Sequence, residues 1–242
     1  MARNIQTNLL PKSNPEIPGY DLAGRNISAL NVGGDYFDFI RLDDHRLAIG
    51  LGDVSGKGLA ASLVMANLQA TIRSLALFDS DPKECLERAN KLLFRSTDAR
   101  TFVSLFYGVL DTRRHSLCYA SAGQDMPILL SAGGELALLT TRGIALGIKE
   151  DVSYEKEEIS IIPGDRLLIY TDGVSEAMNE MMEEFGKTRL QSVLRRAEGE
   201  AAAVIIERIL DAVGSHVHDA TQSDDMTIVL LQRLLEGNHV TQ

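Results

Sequence analysis

Hydrophobic and polar positions follow two rhythms along the chain. Tyr20 to Gly52 reads as β-structure and closes on "RLAIGLG", an unbroken apolar run of strand length. From Gly58 to Phe78 the period becomes helical, with Leu59, Leu63, Ala66, Ala70 and Ile72 as core candidates. A second helix is expected over Asp81 to Ser96, with Asp81 as its cap and Pro82 at the first helical position. Short strands then alternate with turn residues: "TFVSLFYGVLD", "HSLCYASAG", "MPILLS", "GGELALLT" and "SYEKEEISII". "GDRLLIYTDGVSEAM" repeats the earlier theme of an apolar strand ending in Asp before Gly. Leu190 to His218 carries one or two amphipathic helices with Gly199 as a break, and "DDMTIVLLQRL" is a last strand.

Ahead of these elements, "IQTNLL" puts Ile5, Leu9 and Leu10 on one helical face before Pro11, Pro15 and Pro18 stop regular structure. The boundaries read as a linker and lead-in helix over 1–18, one large domain over 19–235 and a tail over 236–242. Helix pairs alternating with blocks of strands predict α+β layers rather than a regular βαβ array.

Composition narrows the function classes. The chain has 242 residues, 45% of them apolar, which is ordinary globular composition. Its formal charge is −10 and no basic run stands out, which argues against nucleic acid as a partner. Cys85 and Cys118 form no disulfide framework and lack metal-site spacing, so both read as buried thiols. "MARNIQTNLLPKSNP" has no apolar signal region and no run of about 18 apolar residues occurs, so a cytoplasmic location and no membrane contact are expected.

The chemistry sits in the carboxylates. Asp lies at the edge of an apolar strand beside Gly or another turn-former in "VGGDYFD" (Asp35, Asp38), "GLGDVSGKG" (Asp53), "IYTDGVSE" (Asp172) and "SDDMTIV" (Asp224, Asp225). A strand end aims a side chain rigidly, and glycine lets backbone approach a ligand closely. Taken singly, each Asp reads first as a turn residue; the arrangement repeated four times points to a site. Gathered carboxylates repel unless a cation neutralises them, and oxygen ligands favour Mg²⁺, Mn²⁺ or Ca²⁺. Zinc is disfavoured, since there is neither a Cys cluster nor HExxH. "DVSGKG" fits neither GxGxxG nor GxxxxGK[ST], and Lys57 reads as facing solvent before phosphate. No Cys-x₅-Arg loop is present, and His45, His115, His216 and His218 read as surface or packing residues.

These motifs, in order, carry a resemblance. "IQTNLLP", "NVGGDYFDF", "LGDVSGKGLAASLVMA", "TFVSLFYGVLD", "YASAGQDMPILL", "GIALGI", "GDRLLIYTDGVSEAMN", "EEFGKTRL" and "DDMTIVLL" run from about Ile5 to Leu231. The chain resembles the PPM family of metal-dependent protein serine/threonine phosphatases, in its bacterial SpoIIE/RsbU-like branch. The resemblance implies an α-β-β-α sandwich of two antiparallel sheets flanked by helices. It also implies two divalent cations, Mn²⁺ or Mg²⁺. Their ligands would be Asp35, Asp53 (bridging), the Val54 backbone carbonyl, Asp172 and Asp224. Asp38 and Asp225 match family positions too and are taken as supporting or structural. One departure is Gln124 in "SAGQDMP", where the family usually has His.

By the same resemblance the substrate would be phosphoserine or phosphothreonine on a STAS-type anti-sigma-factor antagonist, within bacterial partner switching. An upstream sensor or receiver domain, or an activator, would feed the segment before residue 11, and the helices between Leu59 and Ser96 would carry control. The Ile5, Leu9 and Leu10 face reads equally as a homodimer contact or as packed on its own domain. Two rivals stand: a non-catalytic regulator of the same fold that binds a sigma-factor regulatory partner, and a metal-dependent hydrolase of nucleotides or phosphodiesters. Intact Asp35, Asp53, Asp172 and Asp224 speak against the first. The absence of a phosphate-cradling loop and basic clusters weakens the second.

Overall fold

The computed structural model describes residues 2–78, 81–98 and 100–235. In chain order the elements begin with α1 (Ala2–Leu9), β1 (Tyr20–Ile27), β2 (Tyr36–Arg41), β3 (Arg46–Val54), α2 (Gly58–Ala76) and α3 (Pro82–Ser96). A run of short strands follows: β4 (Val103–Asp111), β5 (Ser116–Ala122), β6 (Ile128–Leu130), β7 (Leu136–Leu138), β8 (Lys156–Ser160) and β9 (Arg166–Tyr170). The chain then runs through α4 (Asp172–Ser175), α5 (Gly186–Arg196), α6 (Ala202–Val217) and β10 (Met226–Arg233). The chain divides into two compact units, each assembled from three stretches.

The first unit takes the N-terminal stretch through Lys12, Leu30–Gln124 and Thr140–Ile161. Its antiparallel sheet has the order β2-β3-β4-β5-β8. Met65, Leu68 and Ile72 of α2 and Leu86 and Leu93 of α3 pack with Tyr36, Leu105 and Tyr107 of the sheet. Leu47, Ile49 and Leu51 alternate with these positions and are buried as well. Burial of both faces is why β3 reads as a continuous apolar run.

The buried face of α2 differs from the expected one. Ala61, Met65, Leu68, Ile72 and Ala76 point inward, while Leu59 and Leu63 are 61% and 65% exposed. The helix carries apolar residues around most of its circumference, so spacing alone does not choose the stripe. In α3 the capping expectation holds: Asp81 accepts the N–H groups of Lys83 (3.0 Å) and Glu84 (3.4 Å), with Pro82 opening the helix.

The apolar face expected at Ile5, Leu9 and Leu10 is split. Leu9 and Leu10 pack against the core of this unit, whereas Ile5 is exposed. The residue of α1 that is buried is Gln6. Its amide donates to the Gly33 carbonyl (2.6 Å) and accepts the Gly33 N–H (3.0 Å).

The second unit takes Ser13–Ala29, Asp125–Leu139 and the chain from Ile162 onward. Its antiparallel sheet has the order β1-β10-β9-β6-β7, with β10 between the early strand β1 and β9. Leu190 and Leu194 of α5 and Ile205 and Ile209 of α6 pack with Ala23, Leu168, Tyr170 and Leu230 of the sheet. Gly199, at φ +77°, separates the two helices where the sequence places a break. Two antiparallel sheets flanked by helices are the α+β class expected from the sequence. No helix among the described residues is long and apolar enough to cross a membrane. The expected tail, 236–242, lies outside the described residues.

Candidate metal centre

In the first unit the candidate donors come from neighbouring strand ends. Tyr36 pairs with Gly52. Asp35 immediately precedes Tyr36, and Asp53 immediately follows Gly52, so antiparallel pairing delivers both carboxylates at one edge of the sheet. Asp35 is buried and Asp53 half-buried. The Val54 carbonyl belongs to the same place: a Cβ built on Gly34 would stand 2.8 Å from its oxygen. Glycine at 34 is therefore what lets the "GGD" backbone run so close to β3.

After Val54 the chain turns sharply through Gly56 (φ +94°) and Gly58 (φ +71°), conformations that L side chains rarely adopt. Ser55 pins this turn to the start of β4. Its N–H donates to the Phe102 carbonyl (2.9 Å) and its hydroxyl accepts the Phe102 N–H (3.0 Å). Lys57, in the turn, is exposed.

Asp38 has a different job. Fully buried, it accepts Arg73 Nε (2.6 Å) and Nη2 (3.1 Å), the Phe39 N–H (2.9 Å) and the Tyr36 hydroxyl (3.3 Å). Its oxygens are spent on joining β2 to α2. Burial first, and then the Asp38 charge, push the Tyr36 phenol well above its ordinary value. Gln124 is anchored beside the donors: its Oε1 accepts the Ser104 hydroxyl at 2.7 Å, and Ser104 is the strand partner of Asp53.

The second unit repeats the device. Thr171 locks the end of β9 to β10: its N–H donates to the Thr227 carbonyl and its hydroxyl accepts the Thr227 N–H, both at 3.0 Å. Asp172 then opens the single turn α4. A Cβ built on Gly173 would fall 2.0 Å from the Asp225 carbonyl oxygen and 3.3 Å from the Asp224 Cβ. The backbone after Asp172 therefore lies directly on the Asp224–Asp225 peptide, which brings these two loops together. Asp224 accepts the Asp225 N–H (2.9 Å), and its carbonyl accepts Gln222 Nε2 (2.7 Å). Asp225 is buried and accepts the Ala29 N–H at 2.7 Å, a structural use like that of Asp38.

Within the units, then, Asp35 and Asp53 with the Val54 carbonyl form one group, and Asp172 with Asp224 another. Among the described residues no three His, Cys, Asp or Glu side chains stand together as a ready ion-holding group. The donor set fits a hard divalent cation, being made of carboxylate and carbonyl oxygens with glycines holding back side-chain bulk. Glu176 escaped the sequence reading although it closes the quoted "TDGVSE". Burial first, then the negative charges of Asp172, Glu184 and Asp125, raise its carboxyl pKa, against the opposing charge of Lys187, which pairs with Asp125 at 2.7 Å.

The architecture is that of a PP2C-type phosphatase domain. The PP2C domain of SiaA from Pseudomonas aeruginosa matches with a TM-score of 0.81 at 24% identity, covering 96% of this chain and 94% of that one. RsbX, solved in complex with magnesium, matches with a TM-score of 0.69 at 19% identity, over 91% and 98% of the two chains. Residues 43–234 match the family of Stage II sporulation protein E (SpoIIE), and the chain belongs to that family. It is 28% identical to phosphoserine phosphatase RsbU of Bacillus subtilis (strain 168) over 96% of this chain and 69% of the relative. It spans 41% and 56% of two other relatives, Protein IcfG of Synechocystis and RsbP of Bacillus subtilis.

Proposed function

We propose that this chain is a metal-dependent protein phosphatase. It hydrolyses phosphoserine, or phosphothreonine, on a STAS-type anti-sigma-factor antagonist in a bacterial partner-switching pathway. The observation that carries this reading is the twofold occurrence of one local design. In each, a strand end places an Asp beside a neighbouring acidic loop, and a glycine lets the two backbones come close. Membership in the SpoIIE family and likeness to a phosphoserine phosphatase support it.

Asp35, Asp53, the Val54 carbonyl, Asp172 and Asp224 would hold two divalent cations, Mn²⁺ or Mg²⁺. When bound, such ions supply a strong oxygen nucleophile at neutral pH and neutralise charge on the phosphoryl group. The protein's own part is positioning. The Asp38–Arg73 pair fixes β2 against α2, so Asp35 has a rigid base. Ser104 holds the Gln124 carboxamide beside the Asp53 strand. The Thr171–Thr227 lock and the Asp225–Ala29 bond fix the loops of Asp172 and Asp224. No Cys or Ser nucleophile is required.

The test is phosphate release from a panel of phosphorylated STAS-domain proteins and from p-nitrophenyl phosphate, each with and without Mn²⁺. Metal-dependent release from a phosphoprotein, abolished by Asp53→Ala, is the expected result. No metal-dependent turnover of any substrate would favour the non-catalytic regulator, and faster release from a nucleotide than from any phosphoprotein would move the substrate class.

A further inference from the structure

The second unit holds a cavity of about 190 Å³ lined by Ile27, Met178, Leu210, Val213, Val217 and Met226. Gly173 and Ser223 also form its wall, and these are the immediate neighbours of Asp172 and Asp224. Gly214 of α6 lies on its exposed side, and a Cβ built there meets nothing within 4 Å. A cavity of roughly 150 Å³ lined by aliphatic side chains accepts a benzene ring, so this one has room for a single side chain the size of Leu or Phe.

A shallower depression shares Val217 with the cavity and is formed by Met181, His216, Glu180 and Asp219 among others. Met181 and Met182 are each 75% exposed. Their exposure is built in. Asn179 Oδ1 accepts the N–H groups of Met181 and Glu183, both at 2.9 Å, and the Asn179 carbonyl accepts the Met182 N–H at 3.0 Å. Met182 sits at φ +61°, a left-handed conformation uncommon for a bulky residue. A hydrogen-bonded turn thus presents two flexible thioether side chains to solvent, the kind of surface that moulds itself to a protein partner. Exposed carboxylates flank it in the chain: Glu176 before Ala177, Glu180 before Met181, Asp219 before Ala220.

We propose that this surface docks the phosphorylated protein substrate. One Leu- or Phe-sized side chain enters the cavity, neighbouring substrate residues cross Met181 and Met182, and Lys or Arg residues beside the anchor meet the acidic rim. The cavity volume sets the anchor and the rim sets the flanking charge. The proposal rests on the phosphatase reading for the identity of the occupant.

Two variants test it. Gly214→Leu fills the open side of the cavity without disturbing α6, since Leu is a better helix former than Gly. Met181→Ser with Met182→Ser removes the exposed thioethers. For each, kcat/KM is measured on the best phosphorylated STAS-domain substrate and on p-nitrophenyl phosphate. The ratio of the two should fall at least about tenfold, through KM for the phosphoprotein. A ratio within about twofold of wild type in both variants overturns the proposal. A fluorescein-labelled peptide carrying one Leu between Arg residues is titrated in parallel. Weakening by about tenfold or more in Gly214→Leu supports the docking site, and equal or absent binding overturns it. That arm decides the matter even if no substrate is turned over, an outcome that would sink the phosphatase reading separately.

Discussion

Replacing Gly173 by alanine would set a methyl carbon 2.0 Å from the Asp225 carbonyl oxygen and 3.3 Å from the Asp224 Cβ. Non-bonded heavy atoms settle at about 3.5 Å, so one backbone must retreat by more than about 1 Å. Neither side has a flexible end to yield, because both are main chain. Overpacking of this kind destabilises by about 1–3 kcal/mol. A catalytic group displaced by about 1 Å lowers the rate by about 10²-fold, and both Asp172 and Asp224 ride on the displaced loops. Gly34 is the milder case: its Cβ would lie 2.8 Å from the Val54 oxygen, a shift of some tenths of an ångström, for which about tenfold loss is expected. Gly56 has no neighbour within 4 Å, and alanine there meets only backbone strain of about 1–2 kcal/mol at φ +94°. The assay is Mn²⁺-dependent hydrolysis of p-nitrophenyl phosphate beside urea unfolding, and the expected order of lost activity is Gly173, Gly34, Gly56. A Gly173→Ala enzyme with kcat within about threefold of wild type, and unchanged half-saturation by Mn²⁺, would refute the reasoning.

Asp53→Ala should abolish turnover while circular dichroism and the thermal midpoint stay close to wild type, because the side chain is half-buried at a strand end; a large loss of stability would mark it as structural. Arg73→Met leaves the buried Asp38 carboxylate without its bidentate partner. Removing one member of a buried pair costs about 3–5 kcal/mol, and the half-exposed Arg73 side chain brings the expectation down to about 2 kcal/mol in urea. The Asp43 carboxyl is held down from 3.8 to about 2, first by the His45 N–H and then by the Arg46 guanidinium. Because the folded value lies below the unfolded one, this contribution is full above the unfolded value and is lost as pH falls through the folded one. Asp43→Asn should therefore flatten the acid limb of the urea midpoint between about pH 4 and pH 2.

Much of the fold was legible in local pattern. The Asp81 cap, the proline after it, the break at Gly199 and the buried run at Arg46–Val54 each follow from chemistry within a few residues. Long-range facts were not. Nothing local says that Tyr20 pairs with Arg233, or that alternate stretches of chain sort into two units. The stripe of α2 that faces inward was hidden by its apolar surplus, and nothing near Gln6 in the chain announces its burial, since both halves of its amide pairing come from Gly33. At the candidate site, position was readable but use was not. Asp38 and Asp225 carry the same strand-end signature as Asp35 and Asp224; the family resemblance set them apart as supporting or structural, but their partners, Arg73 and the Ala29 N–H, are distant in sequence and came only from the structure.

The placement of β10 bears on how the molecule comes into being. On a ribosome, β1 emerges about two hundred residues before the strand that completes its ladder, and β9 also waits for that same neighbour. The nascent second sheet must keep two strand edges unsatisfied until Met226–Arg233 has emerged. Folding of that half is thus tied to one late event, and a break in translation before Met226 would release a chain whose open edges invite aggregation.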